Sequence, residues 1–290
     1  MNSENMLLQT MGMLLEQMRR NAGYLARAEI ERILEPLRSD PYRLEPYGYK
    51  VYSQNDEDGI LHEIFRRLGI TQGTFCELGV ESGRECNSLY LLHKGWRGCW
   101  IEGDQQQQAP IQKMFASLLN SRRLSLGIGY ITAENINTSM QQVLELIGLK
   151  ADQLDFLSID VDGNDIYLLE VLDVSPKVIC IEYNAKFPAS LSKQAVYNPA
   201  HQWRGGDYMG SSLLAIDTVA REKGYVLVGT NLTGANAFYV RSELAEGKFS
   251  VDSSVEHLYN SARYWLCYDH FSGIGHKADF GPYLDLETRV

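Results

Sequence analysis

Hydrophobic and polar positions change their period several times along the chain. Met6, Leu7, Met11, Leu14, Leu15 and Met18 recur at helical spacing, which predicts an amphipathic helix ending near Gly23. Residues 24–37 repeat the pattern with Ile30, Ile33, Leu34 and Leu37 on one side, and Ser39-Asp40-Pro41 stops it. A further helix covers residues 60–68. The polar, acidic stretch from Tyr52 to Gly59 lies in front of it, as a helix cap or as a ligand-facing segment. The period then shortens. Thr74-Phe75-Cys76-Glu77-Leu78 reads as a buried strand that breaks into the turn Gly79-Val80-Glu81-Ser82-Gly83, with a helix at residues 87–92. A second strand, Gly98-Cys99-Trp100-Ile101, ends in Glu102, and a weak third spans residues 124–131.

The alternation continues with a helix at 141–147 and a strand at 155–160. The acidic turn Val161-Asp162-Gly163-Asn164-Asp165, a helix at 167–172 and a strand at 177–181 ending in Glu182-Tyr183-Asn184 follow. Strand and helix thus alternate five times, the signature of a parallel sheet covered on both faces. Residues 188–210 form a long polar and aromatic loop with His201, Trp203, Arg204, Asp207 and Tyr208, and loops of that length in compact domains tend to be lids. A helix at 211–221 leads to two strands, 225–229 and 237–240, joined closely enough to be antiparallel. The chain divides into a helical segment (1–48), one α/β domain (49–249) and a tail (250–290). The tail, with Tyr259, Tyr264, Trp265, Tyr268 and Phe271, packs on the domain or serves as a contact surface.

Composition narrows the function classes. The 290 residues are 44% hydrophobic and 22% charged, an ordinary globular balance. A net charge of −10 disfavours a broad nucleic-acid surface. The five cysteines (Cys76, Cys86, Cys99, Cys180, Cys267) lack metal-like spacing and read as reduced packing thiols. With no basic leader at its start and no apolar run long enough to span a membrane, the chain is expected to be cytoplasmic.

The candidate chemistry gathers where strands end. Glycines after the first strand let backbone approach a ligand without a Cβ in the way. Glu102 lies about twenty residues further on, where nucleotide-binding α/β folds place an acid for ribose hydroxyls. Thr132-Ala133-Glu134-Asn135 falls at the level of an adenine ring. Asp160 and Glu182 end strands expected to be neighbours, which lie about 4.8 Å apart. With Asp162 and Asn184 they form an all-oxygen cluster suited to Mg²⁺, Ca²⁺ or Mn²⁺. The competing reading has Asp160 and Asp162 capping the next helix. His201 is either a general base carried by the lid or an ordinary surface histidine. His62, in mid-helix, is structural, whereas His270 and His276 reach the site only if the tail folds back.

Six blocks in this order resemble the class I S-adenosylmethionine (SAM) methyltransferases, and within them the FkbM-like group. They are Tyr52-Ser53-Gln54…Glu57-Asp58-Gly59, Glu77-Leu78-Gly79…Gly83, Ile101-Glu102-Gly103, Ala133-Glu134-Asn135, Asp160-Val161-Asp162-Gly163-Asn164-Asp165 and Ile181-Glu182-Tyr183-Asn184. The resemblance covers roughly residues 52–241. It implies a Rossmann-like α/β fold, a seven-stranded, mostly parallel sheet with a terminal antiparallel hairpin, to which the N-terminal helices are added. It implies that Glu77, Gly79 and Gly83 surround the methionine part of SAM and that Gln54 and Glu57 also bind the cofactor. Glu102 would hold the ribose, Ala133 and Glu134 would border the adenine, and Asp160 would also meet the cofactor. The activity implied is methyl transfer to a hydroxyl of a sugar, glycan or glycosylated natural product, with Asp160, Glu182 and His201 as catalytic groups and Mg²⁺ or Mn²⁺ as a candidate aid. An NAD(P)-dependent oxidoreductase is the alternative on this fold, disfavoured by the Gly-x-x-x-Gly spacing. A non-catalytic partner protein is the other, disfavoured by polar groups at every ligand position. The methionine and leucine stripes have no place on an already covered sheet and predict a homodimer.

Overall fold

The computed structural model describes residues 3–266; Cys267, Tyr268, His270, Phe271 and His276 lie outside the described residues. Helices α1 (Ser3–Leu37) and α2 (Glu57–Leu68) precede strand β1 (Thr74–Leu78). Then follow α3 (Leu89–His93), β2 (Arg97–Glu102), α4 (Gln108–Met114), α5 (Ala116–Asn120), β3 (Leu124–Ile128), α6 (Ile136–Glu145) and β4 (Phe156–Ile159). The chain continues through α7 (Asp165–Val171), β5 (Val178–Glu182), α8 (Leu213–Glu222), β6 (Tyr225–Thr230) and β7 (Asn236–Arg241), and ends in α9 (Ser242–Ala245) and α10 (Val255–Leu258).

The seven strands form one sheet in the order β3-β2-β1-β4-β5-β7-β6. β1 to β5 run parallel, and β7 is antiparallel to both β5 and β6. This is the expected Rossmann-like methyltransferase fold with its antiparallel edge hairpin. Side chains alternate across the sheet as the pleat requires. Phe75 and Trp100 enter one core with Ile60, Ile64 and Phe65 of α2 and Leu89 of α3. Cys76, Leu78, Cys99 and Ile101 enter the other with Met140 of α6, Leu168 of α7 and Ile216 of α8. The four described cysteines are free and buried, in keeping with packing thiols. No described helix is long and apolar enough to cross a membrane.

Two expectations need correction here. The N-terminal segment is one continuous helix rather than two. A helix normally stops at a glycine only when that glycine takes a left-handed φ, and Gly23 is absent from the positive-φ glycines. Only the second part of α1 packs on the domain, where Leu34 meets Leu232 and Leu266. The third strand is also shorter than its apolar pattern, ending at Ile128, because the backbone turns at Gly129 (φ 154°).

Candidate active site

The strand order reverses between β1 and β4: β2 and β3 lie to one side, β5 and the hairpin to the other. In open α/β sheets such a switch point leaves a crevice at the carboxyl ends of the strands. A cavity of about 790 Å³ opens there, lined by Gly79 after β1, Glu102 at the end of β2, Asp160 after β4 and Glu182 at the end of β5. Its size suits a cofactor-sized ligand with room for a second molecule.

The turn after β1 is held by buried acids. Glu77 accepts hydrogen bonds from the backbone N–H of Asn87 (2.7 Å) and Ser88 (2.9 Å) and from the Ser88 hydroxyl. Burial pushes its carboxyl up to about 7, against the pull of those donors. Glu77 borders the cavity, yet its oxygens serve the turn. Gly79 has φ 78°, and a Cβ there would stand 1.7 Å from the carbonyl oxygen of Asp160, so only glycine lets β1 and β4 end side by side. Gly83 is placed differently from expectation. It lies outside the cavity lining, and a Cβ at this position would strike the Trp100 and Phe115 rings, so its role is packing beneath the turn.

Glu102 matches the expected ribose acid in position. One carboxylate oxygen accepts from the N–H of Glu81 (2.6 Å), the other from that of Asp104 (2.8 Å), which aims the group along the cavity wall. Gln54 and Glu57 also reach the lining. The Glu57 carboxylate, however, is engaged by Asn55, Asn231 and Asn236 and ties the start of α2 to the hairpin. Ala133 and Glu134 are absent from the lining, contrary to expectation. Tyr197 of the long loop engages them instead, donating to Glu134 (2.6 Å) and accepting from the Ala133 N–H (3.1 Å). Gly129, Tyr130 and Ile131 line that end of the cavity instead. The signal was legible in Gly129, which turns the chain earlier than the apolar run to Ile131 suggested.

Asp160, Asp162 and Glu182 converge: one oxygen from each lies within 4.8 Å of the others. The alternative that these aspartates close the turn into α7 fails, because Asp165 does so through the N–H groups of Val161 (2.8 Å) and Gly163 (2.9 Å). One Glu182 oxygen is buried without any hydrogen-bond partner. The Asp160 carboxyl is pushed well above the usual range by burial, then by Asp162 and Asp165; Glu182 is raised by burial and then by Asp160. Asp160 retains some exposed surface because it opens onto the cavity floor, but the protein surrounds it on the other sides. The lysine in the lining, Lys50, is paired with Glu85 (2.9 Å). This unbalanced set of oxygens, one of them orphaned, fits a hard divalent cation. Asn184 does not join them. Its amide nitrogen donates to the carbonyls of Asp207 (2.9 Å) and Met209 (2.7 Å), and its oxygen accepts from the Lys186 N–H (3.2 Å).

His201 lies over the cluster, its Nε2 3.1 Å from the Asp162 carbonyl oxygen. A carbonyl can only accept, so the ring nitrogen facing Asp162, Nε2, is the one that donates. The loop carrying it is stitched down by Asn164 to the Asn198 carbonyl (2.8 Å), Tyr167 to the Ala195 carbonyl (2.8 Å) and Gln202 to the Tyr130 hydroxyl (2.9 Å). Tyr264 is a site residue that sequence reasoning left without a role. The C-terminal segment brings it into the lining, and burial together with the nearby Glu182 carboxylate raises its phenol to about 12. Nothing local in an aromatic-rich tail distinguishes the ring that reaches the lining.

No family model matches the chain, and no curated protein matches it. Solved structures are similar to it at low identity. The N-terminal domain of EvdMO1, determined with S-adenosylhomocysteine (SAH) and D-fucose, is 12% identical over 74% of this chain and 96% of its own, with a TM-score of 0.43. A putative caffeoyl-CoA O-methyltransferase from Staphylococcus aureus is 13% identical over 76% of this chain and 99% of its own, also at 0.43. A SAM-dependent methyltransferase from Clostridium acetobutylicum is 11% identical over 75% and 98%, at 0.39.

Proposed function

We propose that the protein is a SAM-dependent O-methyltransferase that methylates a hydroxyl of a sugar or sugar-bearing acceptor with the help of a divalent cation. The observation that carries this reading is one cavity at the switch point with Glu102 on one wall and the Asp160, Asp162 and Glu182 cluster on another. The FkbM-like assignment rests on the order of the six sequence blocks, and the sugar acceptor on that resemblance together with aromatic Trp203, Tyr130 and Tyr264 in the lining.

SAM brings an activated methyl group on its sulfonium, and a cation held by Asp160, Asp162 and Glu182 would stabilise the acceptor oxygen as it loses its proton. The chain supplies the rest. Glu102 would accept from ribose hydroxyls, and Gly79 lets the ends of β1 and β4 close up beneath the cofactor. His201 Nδ1 is the candidate acceptor of the hydroxyl proton, with Nε2 anchored on Asp162.

The raised carboxyls give this reading a test. Burial and mutual repulsion raise the carboxyls of Asp160 and Glu182, so a cation binding there competes with protons. Calorimetric titration in buffers of differing ionisation enthalpy is expected to show proton release, and affinity that strengthens as pH rises. EDTA is expected to stop methyl transfer, with Mg²⁺ or Mn²⁺ restoring it. Full activity in EDTA removes the cation from the reading and leaves His201 as the base. His201→Ala is then expected to lose about 100-fold or more at neutral pH and to recover partly as hydroxide rises.

A further inference from the structure

Helix α1 leaves its own domain early. Met11, Leu14 and Met18 are 51%, 59% and 66% exposed, and Leu7, Leu8 and Leu15 are open as well. From Gly23 onward the helix turns a different set of residues, Ala26, Ile30, Ile33 and Leu34, toward the domain. Residues 3–22 therefore form a free arm of about 30 Å at 1.5 Å per residue.

The arm's pattern has two-fold symmetry. Leu7, Met11, Leu14 and Met18 alternate in steps of four and three, the seam of a two-stranded coiled coil. The next seam positions outward are polar at both ends, Glu4 and Asn21. Two copies laid antiparallel put Leu7 opposite Met18 and Met11 opposite Leu14. Leu8 then flanks Leu15 on one edge and Thr10 flanks Gln17 on the other. Glu4 then falls opposite Asn21. A parallel pair in register would set Glu4 against Glu4. The overlap also ends at residue 22, where packing on the domain begins. A lipid surface suits the arm poorly, since its four charges, Glu4, Glu16, Arg19 and Arg20, cancel, and interfacial helices on anionic membranes rely on an excess of Lys and Arg.

We infer that α1 is a dimerisation arm that pairs antiparallel with the α1 of a second copy through Leu7, Met11, Leu14 and Met18, holding two domains at opposite ends of the pair. This inference is independent of the enzymatic reading. The test uses the full chain carrying Cys267→Ser, since the four described cysteines are buried. Light scattering at micromolar concentration is expected to give twice 32.8 kDa. Leu7→Cys and Met18→Cys proteins are expected to form a disulfide-linked dimer on oxidation when mixed, and little when oxidised separately. Met11→Glu with Leu14→Glu is expected to give a monomer with an unchanged far-ultraviolet spectrum and domain melting temperature. A monomeric mass for the parent chain overturns the inference. So does efficient self-crosslinking of Leu7→Cys, which marks a parallel pair, or dimer retention in the double-glutamate variant. Pelleting of a monomeric chain with phosphatidylserine vesicles would assign the arm to membranes instead.

Discussion

Replacing Glu182 with alanine is expected to lower methyl transfer by about 100- to 1,000-fold while leaving SAH affinity within a few-fold. Loss of one preorganised electrostatic partner of a developing oxyanion typically costs two to three orders of magnitude. Glu182 ends β5, one strand beyond β4 and further than Asp160 from the Glu102 wall, which under the proposed reading puts it on the acceptor side of the cavity. Asp160→Ala is expected to harm both properties, because its strand end adjoins Gly79. The assay is label transfer from methyl-labelled SAM to a panel of sugar acceptors, with Mn²⁺ binding followed in parallel. Glu182→Gln carries a second, opposite signature. A carboxyl raised in the folded state contributes stability below its unfolded value near 4 that is lost as pH rises through the folded value. The cation-free Glu182→Gln protein is therefore expected to melt higher than the parent at pH 8 and to show no advantage near pH 4. Parent-like turnover in Glu182→Ala contradicts its catalytic role.

Gly79→Ala is expected to destabilise the domain by about 3 kcal/mol or more, through left-handed backbone strain together with forced separation of packed backbone. The clash is with the Asp160 carbonyl at 1.7 Å, which belongs to a strand end and has no side-chain torsion to relieve it. Moving it also spreads the carboxylate cluster, so any folded fraction is expected to bind Mn²⁺ weakly. Gly69→Ala is the matched control. Gly69 has a similar φ of 73° at the end of α2, but a Cβ there meets nothing within 4 Å, so its cost is the strain alone, about 1–2 kcal/mol. Urea midpoints separate the two. Equal losses would mean that β1 and β4 are free to part.

The alternation of period two and period 3.6 made the sheet legible, because each buried strand is flanked by a helix whose apolar face covers it. Strand ends were legible too: Glu102, Asp160 and Glu182 stand at or just past the ends of β2, β4 and β5, which the parallel sheet brings to one edge. What sequence missed depends on contacts made across loops. Gly83 has the spacing of a ligand-facing glycine, yet its conformation is demanded by Trp100 and Phe115 below it. Asn184 has the chemistry of a ligand, but two loop carbonyls claim its amide. Tyr197 takes the Ala133–Glu134 pair, and Tyr264 arrives from a segment with no periodicity to announce where it goes. In α1 the absence of a left-handed glycine, rather than the presence of a glycine, decides that one helix continues.

The central claim is that the cavity at the switch point holds SAM, and calorimetric titration with SAH tests it most directly. The account predicts saturable binding with 1:1 stoichiometry, weaker by about 10- to 100-fold in Glu102→Ala, where two charge-assisted hydrogen bonds to ribose are lost. Undetectable binding at millimolar SAH, or tighter binding of NADH than of SAH, would contradict it.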